Sequence, residues 1–428
     1  MNTLRVADLP DGRRAIIIRT SDRIAFKKCR RSWSWSSHLK RNLGPSNLNP
    51  YLWFGSAVHY ALEDFHGYKH FENAQDAFRA YCIAATKQHQ RDLPDDAPEL
   101  FRLGSAMMDY YENKWLRTRK ADETYWQVDP HTGVEIPQVE VNFEIPVPLE
   151  DHPVLAHYAR EHGADCVLYR GTVDRIAIDE YGRLWVVEYK TAKRAEHMHY
   201  QTDPQVTTYV WAAQHMYPDK EVAGVIYQQF VKNKPEPPKI LSSGKISTAS
   251  NQLTSSVLYE DALVRMYGKK GLAPEPNRKF LIDLMSKEDE HNDKYIQRTL
   301  VERNKTMVEA EAQKILLELE DMLNPDLALY PNPTRDCSRM CSFLGPCVSF
   351  DDGSDWEGNL ESRFSQRDGL SDYWRRRIPD PEKLAEMRKA QLEPDLFDAQ
   401  IRIQNMSEDD RKKIERGEEE IDFTFSMG

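Results

Sequence analysis

Asp174, Glu188 and Lys190 are the residues whose types and spacing point most directly to chemistry. Asp174 lies in the run Gly171-Thr172-Val173-Asp174-Arg175-Ile176, and the other two lie in Trp185-Val186-Val187-Glu188-Tyr189-Lys190-Thr191. Glu180-Tyr181-Gly182 supplies a turn between them, so the two runs predict a β-hairpin. Glu188 and Lys190 are two apart and share a face of their strand. Two carboxylates and a lysine converging on one sheet face are costly to bury without partners. A divalent metal resolves that cost, because carboxylate oxygens are the ligands hard cations select. Taken alone, the three residues say metal, with phosphate as the group to be acted on. The bland alternative is a structural ion pair of Glu188 with Lys190 or Arg175.

Other candidates flank this hairpin. Upstream, Gly55-Ser56-Ala57-Val58-His59-Tyr60-Ala61-Leu62-Glu63 has helical periodicity, and His59 and Glu63 are one turn apart on the same face. Such a pair is a metal ligand with its supporting carboxylate, or simply a helix surface pair. Downstream, Gln205 and Tyr209 share a face of the next helix. Cys337, Cys341 and Cys347 crowd into one short Pro/Gly/Ser-rich loop, with Cys29 far upstream. Thiolates at such positions suit either zinc or an iron–sulfur cluster, and spacing alone does not choose. Cys82 and Cys166 read as buried thiols in a helix and a strand. Around Cys29, Lys27, Lys28, Arg30 and Arg31 interleave with Trp33 and Trp35. That pattern fits a helix tracking a phosphate backbone and stacking bases, and equally a solvated helix with its tryptophans in the core.

These residues need elements to hold them. Arg14–Arg19 predicts a strand, and Ser21-Asp22 a cap opening a helix that carries Phe26, Cys29 and Trp33. Residues 72–120 read as all-helical, with Ala74 to Gln90 and Pro98 to Arg119 as the main helices, and 121–136 as a polar connector without an element. Val139–Ile145 alternates as a strand. After the hairpin come a helix from about Asp203 to Tyr217, a strand over Glu221 to Val231, a Pro-rich loop over Lys232–Lys239 and a helix over Ser255 to Tyr267. A last strand over Tyr295 to Val301 and a helix over Thr306 to Leu323 precede the cysteine loop. Beyond Phe350 the chain is charged and weakly periodic, and Glu418–Phe425 alternates acidic and apolar residues.

The order helix–strand–strand–strand–helix, with Asp174 on one strand and Glu188-Tyr189-Lys190 on the next, resembles the PD-(D/E)xK nuclease superfamily. With His59 before and Gln205-x-x-x-Tyr209 after, the series His, GxxDR, ExKT, QxxxY resembles its RecB-like branch over roughly residues 21–350. One cysteine before and three after these motifs is similar to the AddB-type nucleases and the CRISPR-associated exonuclease family. The resemblance implies a restriction-endonuclease-like α/β fold: a mixed central sheet flanked by helices, with a helical insertion and a cysteine-ligated iron–sulfur cap. It implies Mn²⁺ or Mg²⁺ held by His59, Asp174, Glu188 and the Tyr189 backbone carbonyl. Asp174, Glu188, Lys190, Gln205 and Tyr209 would be catalytic, and Glu63 would support His59. Cys29, Cys337, Cys341 and Cys347 would hold a 4Fe–4S cluster, with zinc as the alternative. The helical insertion would form a wall over the site, of the kind that in relatives admits only single strands.

Composition bounds the rest. The chain has 428 residues, 40% of them hydrophobic and 10% aromatic, enough to exclude a disordered protein. The net charge of −11 argues against a nucleic-acid partner only if charge is evenly spread, and it is not. Residues 1–45 carry eleven Lys/Arg against three Asp, a balance of +8, while the tail from Ser407 is largely acidic. No apolar run spans a bilayer and no leader is evident, so the expectation is a cytoplasmic protein of a bacterial or phage-infected cell. The expected organisation is a basic N-terminal segment (1–54), a nuclease core (55–330, insertion about 70–136), a cysteine cap (331–350) and a charged C-terminal region (351–428). The expected activity is metal-dependent DNA exonuclease action at single-stranded ends, in recombination, repair or phage DNA processing. Lys27, Lys28, Arg30, Arg31, Trp33, Trp35 and Arg175 are the expected DNA contacts. A helicase or other recombination protein is an expected partner, since no Walker loop is present. The alternatives are a catalytically weak DNA-binding subunit and a zinc-stabilised endonuclease.

Overall fold

Residues 3–45, 50–88, 97–117, 123–130, 132–194, 199–288 and 292–367 are described by a computed structural model. Its centre is a mixed sheet of β1 (Arg14–Arg19), β2 (Val139–Pro146), β3 (Cys166–Ile178), β4 (Leu184–Ala192), β5 (Val222–Val231) and β6 (Ile296–Glu302). Ala7–Asp8 and Glu123–Thr124 extend it as short outer pairs. The path runs β1-β3-β4-β5-β6. β1 is parallel to β3, β4 is parallel to β5, and the β3–β4 hairpin and β5–β6 pair are antiparallel.

Strand β3 is thirteen residues long and is shared along its length. Its residues 166–170 pair with β1, and its residues 175–178 pair with β4. Strand β2 pairs with positions 168–175. Leu168, Tyr169 and Arg170 thus face β1 on one edge and β2 on the other, and Arg175 faces β4 and β2 in the same way. β1 and β4 therefore share one edge of β3 and part from each other between Arg170 and Arg175. Asp174 lies in that opening. Gly171 marks its start: a Cβ there would meet Phe143 Cζ at 2.4 Å and Thr20 Oγ1 at 2.7 Å. Only glycine fits where the chain leaving β1 crosses β3.

Helices cover both faces, so β5 is buried from end to end, as a strand enclosed on both sides must be. One layer comprises α1 (Thr20–Lys28), α2 (Arg30–Ser36) and the later α6, α7 and α10. The other comprises α3 (Pro50–Glu63), α4 (Ala74–Gln88) and α5 (Ala97–Tyr110). The pleat of β4 serves both layers: Leu184 and Val186 enter the first core, and Trp185, Val187 and Tyr189 the second. α6 spans Pro153–Glu161, and α7 (Pro204–Met216) makes the crossover between parallel β4 and β5. α8 (Ser256–Tyr267) and α9 (Glu275–Lys287) form a satellite with its own small core. α10 (Lys305–Leu323) leads to α11 (Cys337–Met340), α12 (Leu344–Asp352) and α13 (Trp356–Arg363). Phe364–Gln366 then pairs with Leu43–Pro45, so the two end regions of the described chain meet. Among the described residues no helix is long and apolar enough to cross a membrane.

A buried charge cluster locks the first layer. Arg23, on α1, reaches Glu311 (3.1 Å) and Glu318 (2.6 Å) of α10, Thr208 of α7 (3.0 Å) and the Tyr169 hydroxyl of β3 (3.0 Å). Arg23 and Glu311 are each only 2% exposed. Partners on every side are what make such a charge tolerable in the interior.

Several expectations change. The connector over 121–136 contains Glu123–Thr124 and a small hairpin of Trp126–Val128 with Glu135–Pro137. The first helix does not run through Cys29. That residue is extended (φ −166°, ψ 115°) and separates α1 from α2. The helix expected through Gly55–Glu63 and the one expected over Pro98 to Arg119 each end in a π-helical turn, Asp64–Tyr68 and Tyr111–Trp115, joined where His66 meets the Tyr111 hydroxyl at 2.7 Å. The region after Phe350 is structured as far as Arg367, whereas the acidic run Glu418–Phe425 lies outside the described residues.

Candidate active site

The hairpin and the strand before it bring four acidic or basic groups to the opening in the sheet, and α3 adds a fifth. Glu188 and Lys190 continue the stripe of Leu184 and Val186 on the α7 side of β4. α7 begins with Asp203 as its cap, whose side chain accepts from the Gln205 N–H at 2.9 Å, and Pro204 follows at the first helical position. That start places Gln205 and Tyr209 one turn apart, and the Gln205 amide donates to the Tyr209 hydroxyl at 2.9 Å.

His59 Nδ1 lies 3.3 Å from Asp174 Oδ1 and 3.8 Å from Glu140 Oε1. One ligand atom from each of these three residues falls within 4.8 Å of the others. The second Asp174 oxygen accepts the Tyr189 N–H at 2.7 Å. That amide lies beyond Val187, the last β4 residue paired with β3, so the side chain takes over where the ladder ends. Lys190 Nζ donates to Glu188 Oε1. Glu188 is 3% exposed, and its Oε2 is buried with no hydrogen-bond partner among the described residues.

The protonation states follow from this crowding. Burial pushes the Glu188 carboxyl up and the Asp174 charge adds to it, and Lys190 and His59 offset only part, leaving it at about 7. Burial also pushes Asp174 up, but His59, the Tyr189 N–H and Lys190 outweigh it and hold it below the usual carboxylate range. His59 is pulled down by burial, yet Asp174 and Glu140 raise it well above its ordinary value. The Tyr209 phenol is raised by burial and by the charge of Glu188 and then Asp174, which puts α7 within the field of the same site.

Glu140 is the residue sequence reading missed. It lies in the alternating run Val139–Ile145, where a lone carboxylate was indistinguishable from a solvated strand position. Register makes the difference: Val139 pairs with Arg175 and Val141 with Val173, which sets Glu140 opposite Asp174. Its backbone is left-handed (φ +44°), an unusual state for a non-glycine residue and one that concentrates at functional sites. The compact three-residue group is thus His59, Glu140 and Asp174, with Glu188 beside it. Glu63 closes α3, and the carboxylates that press on His59 are Asp174 and Glu140.

A nitrogen and carboxylate oxygens at this spacing, next to a buried unsatisfied carboxylate oxygen, suit a hard divalent cation. The chain matches the family described as PD-(D/E)XK nuclease superfamily over residues 24–348, and it belongs to that superfamily. It is therefore a nuclease-fold protein of a class that works with divalent metals such as Mg²⁺ or Mn²⁺. No curated protein matches the chain.

The cysteines also gather. Cys29 sits at the α1–α2 break, Cys337 opens α11, Cys341 closes it, and Cys347 lies in α12. The Cys341 thiol is pushed up by burial and then by Cys337, Cys29 and Cys347, which places all four in one neighbourhood. N–H groups point at three of the sulfurs, each at 3.4 Å: Asn332 at Cys29, Thr334 at Cys337 and Arg31 Nη1 at Cys347. Cys82 is buried in α4 as expected, whereas Cys166, at the first position of β3, is only half-buried.

The expected DNA contacts need correction. Trp33 is 0% and Trp35 4% exposed, packed against Phe26 and against Phe343 and Trp356, so neither offers a face to a base. Arg175 is 1% exposed, inside the second layer against His66 and Tyr189. Arg31 is 7% exposed and held by Asp351 at 2.7 Å. Lys27 pairs with Glu318 and Arg30 with Asp321; Lys27 and Lys28 are exposed, and Lys28 alone of the set has no salt bridge among the described residues. The interleaved pattern serves the joint between α1, α2, α10 and the cysteine region.

Proposed function

We propose that the chain is a metal-dependent DNA exonuclease of the RecB-like kind, acting at single-stranded ends in recombination, repair or phage DNA processing. The observation that carries this reading is the convergence of His59, Glu140 and Asp174 with Glu188 and Lys190 at the parting of β1 and β4. His59, Glu140, Asp174 and the free Glu188 oxygen would hold the divalent ion, with the Tyr189 carbonyl as a further ligand. The imidazole favours Mn²⁺ over Mg²⁺. When bound, the ion lowers the pKa of water and polarises the scissile phosphate. Lys190, fixed by Glu188, presents its ammonium where phosphate charge develops and orients the nucleophile. Gln205 and Tyr209, held to each other, position the substrate from the α7 side.

A structural 4Fe–4S cluster on Cys29, Cys337, Cys341 and Cys347 is part of the proposal. Hydrogen bonds to ligand sulfurs are a feature of such sites. The chemical role is to clasp the two ends of the fold.

The test uses end-labelled linear and circular single-stranded DNA with Mn²⁺. Nucleotides should be released from linear DNA only, and Asp174→Ala, Glu188→Ala and Lys190→Ala should each abolish release while keeping the wild-type circular dichroism. Full activity in any of the three would sink the active-site assignment, and cleavage of circles would sink the exonuclease reading. Anaerobically purified protein should be brown and contain iron; zinc in its place would overturn the cluster.

A further inference from the structure

A cleft of ≈ 440 Å³ opens on the far side of the cysteine joint, among the N-terminal segment, α2, the Leu39–Arg41 turn, α12 and α13. Its walls are mostly apolar, with Leu39, Phe350 and Trp356 among them. Its rim is basic: Arg5, Arg31, Lys40 and Arg41 all line it. Two of these are already matched, Arg31 by Asp351 at 2.7 Å and Arg41 by Glu357 at 3.2 Å. Among the described residues neither Arg5 nor Lys40 has an acidic partner. They are brought together by backbone contacts: the Arg5 N–H donates to the Leu39 carbonyl at 2.8 Å, and Lys40 Nζ donates to the Thr3 carbonyl at 2.9 Å. Phe350 keeps 44% of its surface exposed with the Arg31 guanidinium over its ring at 4.3 Å, whereas Trp356 carries Arg41 over its ring at 4.9 Å and stacks on Trp35.

We propose that this cleft binds one nucleotide, its base against Phe350 beside the Arg31 guanidinium and its phosphate on Arg5 and Lys40. The chemistry is that of single-strand binding sites, in which cations track the backbone and aromatic rings stack the bases. Burial holds the Lys40 ammonium down at about 8, so it is charged at neutral pH and gains from an anion beside it. A DNA strand and a free mononucleotide present the same ligand chemistry to this cleft. The inference rests on the nuclease reading for its choice of nucleic acid, and it assigns that substrate a contact outside the catalytic opening.

The experiment uses the full chain in EDTA, so that no strand is cut. Binding of a 20-nucleotide single strand is measured across a salt series for wild type, Arg5→Glu and Arg5→Ala/Lys40→Ala. Binding of dAMP is followed by tryptophan fluorescence. Each phosphate contact removed should lower the salt slope by about 0.7, so the double variant should lose about 1.4 and bind about tenfold more weakly at 0.1 M salt. A strand anchor predicts loss in the oligonucleotide arm, and a mononucleotide site predicts loss in the dAMP arm. Unchanged affinity and slope in both arms, for both variants, overturns the inference. Mn²⁺-dependent cleavage by the same preparations separates it from the nuclease reading. Wild-type cleavage with no effect of the variants on binding refutes the cleft alone, whereas absent cleavage with variant-sensitive binding refutes the nuclease and leaves the cleft.

Discussion

Glu188→Gln should remove a large part of the pH dependence that the metal-free site imposes on stability. The folded carboxyl sits at about 7, against about 4.3 in an unfolded chain. That gap corresponds to about 3.7 kcal/mol, at 1.36 kcal/mol per pH unit. Between the two values the folded protein holds a proton that the unfolded chain has released. Stability therefore falls as pH rises, with the contribution intact below about pH 4 and lost above about pH 7. Roughly 2.5 kcal/mol of the loss falls between pH 5 and pH 8. Lys190 is held above its ordinary value and Asp174 below its own, so neither titrates in that interval, and His59 is common to both proteins. Urea unfolding at pH 5 and pH 8 in EDTA gives the comparison. Wild type should lose about 2.5 kcal/mol more than the variant across the interval. Saturating Mn²⁺ at one hundred times its Kd should restore about 2.7 kcal/mol to wild type at pH 8. The variant, lacking one ligand oxygen, should gain less. Equal pH dependence in the two proteins would refute the argument that burial and Asp174 hold a proton on Glu188.

Glu140→Gln should weaken Mn²⁺ binding at least about tenfold by calorimetry. Glu140→Gly should stay within about 1 kcal/mol of wild type in stability, because relief of the left-handed backbone offsets the added chain freedom. Arg23→Met should cost about 3–5 kcal/mol in urea, because Glu311 is left charged and buried. Adding Glu311→Leu should recover much of that, and a single-variant cost under about 1 kcal/mol would contradict the cluster's role. Removing the proposed cluster should lower the melting temperature of the whole chain in one transition, since Cys29 and Cys347 come from opposite ends of the described chain. A separate early transition confined to one part of the protein would contradict this.

Much of the sheet was legible because its signals are local. β4 reads Leu-Trp-Val-Val-Glu-Tyr-Lys, rich in β-branched and aromatic residues. α7 announces itself with Asp203-Pro204, and α10 opens on the Asn304 cap. What escaped depends on partners distant in sequence. Glu140 gains its meaning from register with β3. Trp33 and Trp35 look like stacking residues until α12, α13 and the core rings cover them. Arg175 reads as a surface base until His66 and Tyr189 enclose it. α6 and α9 escaped although each has a proline in its first turn, and the break at Cys29 has no glycine or proline to mark it. The gathering of Asp174, Glu188 and Lys190 at one opening was therefore visible, whereas Trp33, Trp35 and Arg175, expected to face a ligand, lie buried.

The closure of the first layer has a consequence for how the protein comes into being. Arg23 is made early, and its partner Glu318 follows 295 positions later. Joining ends so far apart costs about 3 kcal/mol more chain entropy than closing a ten-residue loop. Contacts of such long separation slow folding more than they weaken the finished product. During synthesis, α1 precedes its α10 partners by the whole of the central sheet. Residues 59 to 209 are polymerised before the contacts of Arg23 with Glu311 and Glu318 can close the layer beside Gln205 and Tyr209.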